Sequence, residues 1–356
     1  MPKTNYFQAA LKQAQRRKLT GPYLIIPVLV LFVLFLYLFF QNNSSGRLEV
    51  SYRTTMDTSV ELRFVPGSNK EFVQVREAVF TEIERLEELF SRSISGSEIS
   101  QINNSAGRRP VSVSPEVIFV TEKAIYYASL SSGAFDPTIA PLIDLWGFLG
   151  QNYRLPGITE IEETLPLVDY TLLEIDSSRS TIYLPREGMS LELGGIAKGY
   201  IVDQALQVLI RAGIEHAFIN AGGDIGLIGT KPDGSPWRIG VRHPRKENEI
   251  IAVLPAIGGA VVTSGDYQRT FEENSISYHH ILNPETGLPS RELVSVTIVA
   301  PTATEADALS TAVFVLGPVR GMALIESMPL VEGVLITPDL KLLVSSGLEG
   351  IIEIQP

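Results

Sequence analysis

The chain reads Glu192-Leu193-Gly194-Gly195-Ile196-Ala197-Lys198-Gly199 at the point where its pattern changes from helices to short strands. The paired glycines predict a helix start, and apolar residues at helical spacing continue to Gly213. Glycines that let backbone approach a ligand, free N–H groups and a lysine are what an anion site needs. The stretch therefore predicts a phosphate-binding helix start, with close packing of an ordinary helix as the alternative.

Before this stretch, the pattern predicts two strands and two main helices. Residues 47–65 alternate like a hairpin, and residues 70–90 place apolar side chains at helical spacing. A second helix is predicted over 115–132 because Ser114-Pro115 resembles an N-cap followed by proline at the first helical position. The Ser/Gly-rich segment between them, 91–105, is predicted to be a loop. A loop with a short helix and a small hairpin follow, at 156–166 and 172–184.

After Gly213 short strands dominate, separated by Gly, Pro, Asn and Asp. They are predicted at 216–219, 225–229, 237–241, 250–254, 259–263, 279–282 and 294–300. Two helices, 304–316 and 318–327, precede three last strands at 331–337, 340–345 and 351–354. Because helices and strands do not alternate strictly, the predicted fold class is α+β, with mixed or antiparallel sheets and packed helices.

An apolar run occupies residues 23–40 of the 356, broken by Pro27, and its 18 positions span roughly 27 Å as a helix. Five basic residues and no acidic one precede it, which predicts a transmembrane anchor with a cytoplasmic N-terminus. The expected organisation is a basic cytoplasmic segment (1–22), the anchor (23–40), a linker (41–50) and an outward-facing domain (51–356) at the cell membrane. A cleaved signal peptide is the alternative, although the run is long for one and no small-x-small site follows.

Charge and cysteine content exclude several classes of protein. Net charge is −11, and the five basic residues before the anchor contribute +5, which leaves −16 for the rest of the chain. An acidic domain repels polyanions, so nucleic acid is not expected as a partner, and a bound phosphate needs a local metal ion or helix N-terminus. The chain has no cysteine, so disulfides, thiol catalysis and a lipidated N-terminal cysteine are excluded.

Two further segments carry chemistry. Asn220-Ala221-Gly222-Gly223-Asp224 joins two predicted strands, either as a plain tight turn or as a turn open to a ligand, with Asp224 accepting a hydrogen bond. Asp307 and Thr311 are four residues apart, so they share one helix face and can offer a carboxylate and a hydroxyl to one cation. Such oxygen ligands suit Mg²⁺, while the alternative is a solvated helix face.

The four histidines have different predicted roles. His216 is expected to be structural, and His243 lies in a predicted loop. Neighbouring residues on a strand face opposite ways, so only one of His279 and His280 is expected to enter a shared site. There an imidazole would serve as general base. A serine-hydrolase elbow, a Walker A loop and a dinucleotide-binding glycine motif are missing in the contexts that they require.

Taken together, these segments resemble the ApbE family of FAD:protein FMN transferases from about Met56 to Gly317. The matching segments, in order, are Met56-Asp57-Thr58, residues 97–103 (SEISQIN), Gly133-Ala134-Phe135-Asp136-Pro137-Thr138, Trp146-Gly147-Phe148, residues 193–199 (LGGIAKG), residues 220–224 (NAGGD), residues 263–267 (TSGDY), residues 279–287 (HHILNPETG) and residues 306–312 (ADALSTA).

The resemblance implies that FAD binds as a substrate with its diphosphate on Mg²⁺. FMN then passes to a threonine or serine hydroxyl of an acceptor protein, and AMP is released. It places the metal on Asp307, Thr311 and the backbone carbonyl of Gly195, with Ser310 as a further candidate, and it makes His280 the base. Flavin and adenosine contacts would come from Met56, Ser93, Ala134, Phe135, Asp136, Glu192, Lys198, Asp224 and Ile281.

Three positions depart from the family pattern. Glu192 stands where the family usually has Asp, and Asn283 replaces a usual Asp in the loop after the histidine pair. Ser93 stands where an aromatic ring often lies against the ligand, and loss of that stacking would weaken FAD binding by about 0.5–1.5 kcal/mol.

The expected acceptors are subunits of redox membrane complexes or secreted flavoproteins. Two other functions use the same site. A Mg²⁺-dependent FAD diphosphatase would use water in place of the threonine, giving FMN and AMP. A non-enzymatic extracytoplasmic flavin-binding protein would need no base, so the presence of His280 argues against it.

Overall fold

An eight-stranded antiparallel sheet organises the part of the chain that this computed structural model describes, residues 46–355. Its strands, in spatial order, are β1 (Glu49–Thr55), β2 (Thr58–Phe64), β6 (Ala217–Ala221), β7 (Asp224–Ile228), β10 (Gly259–Gly265), β13 (Ser295–Ala300), β14 (Glu332–Ile336) and β15 (Leu342–Val344). Three small antiparallel sheets accompany it: β3 (Val111–Ser112) with β5 (Thr181–Tyr183) and β4 (Glu174–Asp176), β16 (Glu353–Ile354) with β9 (Ile250–Ala256) and β8 (Trp237–Arg242), and β11 (Thr270–Glu273) with β12 (Ile276–His279). The predicted α+β class with antiparallel sheets is confirmed for this region.

The α-helices of this region are α1 (Asn69–Phe90), α2 (Glu98–Asn104), α3 (Pro115–Leu130), α4 (Ala140–Leu145), α5 (Ile158–Thr164), α6 (Ala197–Arg211) and α7 (Ala303–Ser327). Serine and threonine side chains cap several of them. Ser68, Ser114 and Thr302 each accept a hydrogen bond from a backbone N–H in the first turn of α1, α3 and α7.

The main sheet lies between two apolar layers because successive strand residues point to opposite faces. In β6, Ile219 packs into the larger core with α1, α6 and α7, while Phe218 faces the other side and packs on Trp237 of β8. A third cluster surrounds Trp146, whose indole nitrogen donates to the carbonyl of Gly287 at 2.8 Å. The helix layer brings the start of α6 and the first half of α7 to the edge of one cavity.

The structure corrects two predicted boundaries near that cavity. The segment 91–105, predicted as a loop, contains α2, which Ser97 caps and whose Ile99 and Ile102 are buried; two apolar positions are too few for a periodic signal. Of the predicted strand 279–282, only His279 lies in a strand, as the last residue of β12. Strand β12 pairs with β11, which was not predicted because its sequence is charged. His280 therefore lies in the loop after the strand.

Helix boundaries elsewhere follow the glycines. Helix α6 begins at Ala197, so Gly194-Gly195 forms the turn ahead of it instead of its first residues. The two helices predicted over 304–316 and 318–327 correspond to the two halves of α7. The helix is broken between them at Gly317, which has φ of 77° and ψ of −179°. Because Pro318 follows, the break lies where the sequence predicted it.

The predicted cytoplasmic segment, the predicted anchor and the first half of the predicted linker lie outside the described residues. Within 46–355, α7 is the one helix long and apolar enough to cross a membrane. It packs against α6, β10 and β13, and half of its apolar window is buried there, as expected for a core helix.

Candidate active site

A cavity of about 530 Å³ opens between the helix layer and the loops around His280. Every predicted site residue except Ser310 lines it: Met56, Ser93, Ala134, Phe135, Asp136, Glu192, Gly195, Lys198, Asp224, His280, Ile281, Asp307 and Thr311. These residues come from distant points of the chain, so the fold alone brings them together. Ser310 is fully buried behind the lining, with its hydroxyl 2.7 Å from that of Ser264 and donating to the carbonyl of Asp307.

The glycine turn and helix α7 are neighbours. A Cβ added to Gly195 would lie 3.2 Å from Oγ1 of Thr311 and 3.1 Å from the ring of Phe135, so a side chain there would require these two groups to shift by a few tenths of an ångström. One turn into α6, the backbone N–H of Gly199 donates to Oδ2 of Asp307 at 3.0 Å. The three predicted metal-binding groups, the Gly195 carbonyl, the Asp307 carboxylate and the Thr311 hydroxyl, therefore belong to adjoining segments.

A reciprocal contact fixes the two helices. Asp203 on α6 accepts hydrogen bonds from the N–H groups of Ala303 and Thr304, at 2.8 and 2.9 Å. Each helix thus satisfies free N–H groups of the other's first turns with a carboxylate. Burial raises the pKa of Asp203, and its bonds to Thr304 oppose that effect.

Charges in the floor of the cavity are close together. Nζ of Lys198 lies 2.8 Å from Oδ2 of Asp224, whose side chain is only 1% exposed. Burial, followed by the nearby charge of Asp224, raises the pKa of Asp307 to about 8. Burial lowers the pKa of Lys198, but the attraction of Asp224 and Asp307 outweighs it, and the net shift is upward. The floor thus holds two carboxyl groups beside one ammonium group, and a cation bound there would favour the ionised form of Asp307.

The two neighbouring histidines have different surroundings. His279 is buried against Phe314, and its Nε2 lies 2.7 Å from the carbonyl of Ser290. His280 lines the cavity, and its Nδ1 is buried without a hydrogen-bond partner among the described residues. Burial, with the charges of Arg269, His279 and Lys198, lowers its pKa to about 3. In the protein alone the imidazole is therefore uncharged at neutral pH.

Glu192 is held by an arginine that the sequence reading did not single out. Nε of Arg92 lies 2.5 Å from Oε2 of Glu192, and its other nitrogens reach Asp144 at 2.9 Å. The second oxygen of Glu192 accepts from the N–H of Gly194 at 2.8 Å. The pair therefore positions the glycine turn and neutralises a carboxylate at the cavity wall. Arg92 lies next to Ser93 in a serine-rich segment, and nothing in that sequence indicates that it binds a carboxylate.

Asp136 lines the cavity but uses its carboxylate locally. It accepts from the N–H and hydroxyl of Thr138, at 2.7 and 2.6 Å, and from the N–H of Tyr170 at 3.1 Å. Burial raises its pKa, and these bonds oppose that effect. The side chain thus shapes the turn that carries Ala134 and Phe135.

The turn between β1 and β2 is held by Glu87, which is a second contact that sequence reasoning missed. Met56 and Asp57 both adopt left-handed conformations, with φ of 54° and 55°. Glu87 of α1 holds them, accepting from the N–H of Met56 at 2.9 Å and from the hydroxyl of Thr55 at 2.5 Å. The two-residue turn of a β-hairpin requires this conformation at both central residues, since Thr55 pairs with Thr58 across it.

The fold and this cavity define an α+β protein whose ligand site lies between a glycine turn, a core helix and a histidine loop. The ApbE family model matches residues 56–335. Two proteins named FAD:protein FMN transferase are each 33% identical: that of Treponema pallidum (strain Nichols) over 76% of this chain and 79% of its own length, and that of Klebsiella pneumoniae (strain 342) over 75% and 84%. The chain belongs to the ApbE family.

Solved structures agree with this assignment. The ApbE protein of Thermotoga maritima superposes with a TM-score of 0.80 at 34% identity, covering 86% of this chain and 99% of that one. The flavin transferase ApbE of Vibrio cholerae gives a TM-score of 0.76 at 29% identity, with coverage of 86% and 99%. The part of this chain that lines the cavity falls within the matched region of the family model.

Proposed function

We propose that this chain is a Mg²⁺-dependent flavin transferase that moves FMN from FAD to a threonine or serine hydroxyl of an acceptor protein and releases AMP. One observation carries the proposal: the Gly195 turn, the Asp307/Thr311 face, Lys198 and His280 all line the same cavity. Family membership and relatives named for this activity support it.

The donor set of the cavity suits a hard cation. Gly195, Asp307 and Thr311 supply a carbonyl, a carboxylate and a hydroxyl, which are oxygen ligands of the kind that Mg²⁺ prefers. No cluster of three or more His, Cys, Asp or Glu side chains occurs within 46–355, so a thiolate- or imidazole-rich site is not in competition there. When bound, the cation would offset diphosphate charge as the P–O bond breaks.

The charge of the lining also favours a cation beside the substrate. Six carboxylates line the cavity, from Asp57, Glu87, Asp136, Glu192, Asp224 and Asp307. Four cationic side chains oppose them, from Arg92, Lys198, Arg242 and Arg269. A diphosphate adds negative charge to this lining, so a cation bound beside it would reduce the repulsion.

FMN transfer forms one P–O bond and breaks another. The hydroxyl oxygen of the acceptor attacks the phosphorus of the FMN half of FAD, and the bond from that phosphorus to the oxygen shared with AMP breaks. The hydroxyl proton goes to the cavity-lining imidazole of His280, which is uncharged in the protein alone. The negative charge of a bound phosphate raises the pKa of a nearby imidazole, which makes His280 a stronger base in the complex than in the protein alone.

We also propose that residues 23–40 anchor the protein in the cell membrane with the catalytic domain outside the cytoplasm. The length of the apolar run and its basic flank support this topology. The acceptors would then be redox membrane complex subunits or secreted flavoproteins.

The test uses the full chain with FAD, Mg²⁺ and a threonine-containing acceptor peptide. We expect the peptide to gain the mass of one FMN group while one AMP is released, and we expect a peptide with valine in place of the threonine to gain nothing. EDTA should stop both products. Free FMN and AMP with an unmodified peptide would instead identify an FAD diphosphatase, and binding without either product would identify a flavin-binding protein.

A further inference from the structure

Arg269 lines the cavity immediately before β11, and we infer that its guanidinium group binds the phosphoryl group that is transferred. The inference deepens the proposed function, on which it rests, by adding a phosphate-binding residue to the reacting end of the site.

Arg269 lies beside the proposed base. The N–H of His280 donates to the carbonyl of Arg269 at 3.2 Å, one position beyond the register in which Thr270 pairs with His279. The β11–β12 hairpin therefore returns the chain so that the two residues are adjacent at its base. The charge of Arg269 contributes to lowering the pKa of His280 and opposes the upward shift of Lys198, so the guanidinium lies within electrostatic reach of both.

The other cations of the cavity are already engaged. Arg92 is held by two carboxylates, and Lys198 by Asp224. The guanidinium of Arg242 lies 5.3 Å from the ring centroid of Tyr267. Arg269 is exposed and has neither a carboxylate partner nor an aromatic partner in the described part of the chain. Among the lining cations of the described residues, it is thus the one with neither kind of partner.

The chemistry of the step needs such a charge. During transfer, negative charge spreads over the non-bridging oxygens of the phosphoryl group. His280 is uncharged and takes up a proton, so it cannot stabilise that charge at the start of the step. An arginine stays charged at all relevant pH values, and its planar fork matches phosphate oxygens. Arg269 combines this charge with a place next to His280.

The alternative is an ordinary solvated arginine at the edge of a hairpin, and equilibrium binding separates the two. Flavin fluorescence gives dissociation constants for FAD, FMN and riboflavin with the full-length protein, with Mg²⁺ and with EDTA. For Arg269→Gln, we expect affinity for FAD and FMN to fall about 10- to 100-fold and affinity for riboflavin to stay unchanged. Arg269→Lys should recover part of the loss because it keeps the charge without the fork.

Arg320→Gln is the matched control, since Arg320 is exposed on α7 and lies outside the cavity lining. In the transfer assay, Arg269→Gln should lower kcat about 10²- to 10³-fold, and the control should match wild type. Circular dichroism melting checks that each variant is folded.

Equal FAD affinity in Arg269→Gln and wild type, or a parallel loss for riboflavin, would overturn the inference. Failure of the proposed function would give a different result from failure of the inference about Arg269. In that case wild type would bind FAD without moving FMN, and the comparison of FAD with riboflavin would still decide whether Arg269 binds phosphate.

Discussion

The backbone N–H of Gly199 donates to Oδ2 of Asp307 at 3.0 Å, which joins the first turn of α6 to the first turns of α7. The helices can approach this closely because residue 199 has no side chain: a Cβ there would lie 2.1 Å from the carbonyl oxygen of Ala303. The contact fixes the proposed metal ligand Asp307 relative to the turn that carries Gly195. Close helix packing and ligand geometry therefore depend on the same glycine.

Gly199→Ala should separate the two helices, because the added methyl group meets backbone atoms that cannot rotate away. We expect a loss of about 1–3 kcal/mol in the free energy of unfolding, measured by urea denaturation, together with weaker FAD binding. Gly96→Ala is the control, since a Cβ at Gly96 meets no atom within 4 Å. Its change should stay within about 0.5 kcal/mol, and equal losses in the two variants would contradict the packing argument.

His280→Ala should keep FAD binding and lose transfer, because the variant removes only the group that accepts the proton. A decrease in kcat of about 10²–10⁴-fold is expected, measured by mass spectrometry of the acceptor peptide, with FAD affinity measured by fluorescence. His243→Ala, outside the cavity, serves as the control. Unchanged transfer in His280→Ala would remove His280 from the mechanism.

Lys198→Met should leave the buried carboxylate of Asp224 without a partner. We expect a loss of stability of about 1–3 kcal/mol, part of which the double variant Lys198→Met/Asp224→Asn recovers. Urea unfolding of wild type, Lys198→Met, Asp224→Asn and the double variant gives the coupling energy between the two side chains. Lys246→Met breaks a pair that is similarly short, at 2.9 Å to Glu249, but more than half exposed, and it should cost at most about 1 kcal/mol. A coupling energy near zero for Lys198 and Asp224 would show that the buried pair is not a stabilising unit.

The contribution of His280 to the stability of the FAD-free protein should fall as the pH decreases below the ordinary pKa of histidine, 6.5, while the raised pKa of Asp307 acts in the opposite direction. Burial lowers the pKa of His280 to about 3 and also lowers that of His279, so the unfolded chain binds protons in this range that the folded protein does not. Urea midpoints measured between about pH 7 and about pH 5 test this window. His280→Asn should have a shallower slope than wild type, and identical slopes would refute the assignment to His280.

Much of the fold could be predicted because its signals are local. The hairpin before Pro66, the amphipathic helix α1 and the Ser114-Pro115 start of α3 depend on alternation, helical spacing and capping within a few residues. Predictions failed where a short element carried few apolar positions, as in α2, or where charged residues concealed a strand, as in β11. Such elements form because they pair with distant segments, and that pairing has no signal in their own sequence.

Part of the candidate site could likewise be predicted from the sequence, and part could not. Residue type and spacing pointed to Lys198, Asp307 and Thr311, whereas the family resemblance singled out His280 of its pair and the carbonyl of Gly195. The structure had to reveal that Arg92 binds Glu192, that Asp136 uses its carboxylate within its own loop and that Ser310 lies behind the cavity wall. These contacts depend on side-chain directions and on segments far apart in the chain.

Sequence by itself determined the chemical groups, the family resemblance and the order of most elements, because periodicity and motif spacing are properties of neighbouring residues. Tertiary structure alone decided which groups share a cavity, which charges are already neutralised, and how far burial displaces the pKa values of Asp307 and His280. The physical reason is that solvent exclusion and electrostatic interaction depend on distances in space, and long-range packing sets those distances.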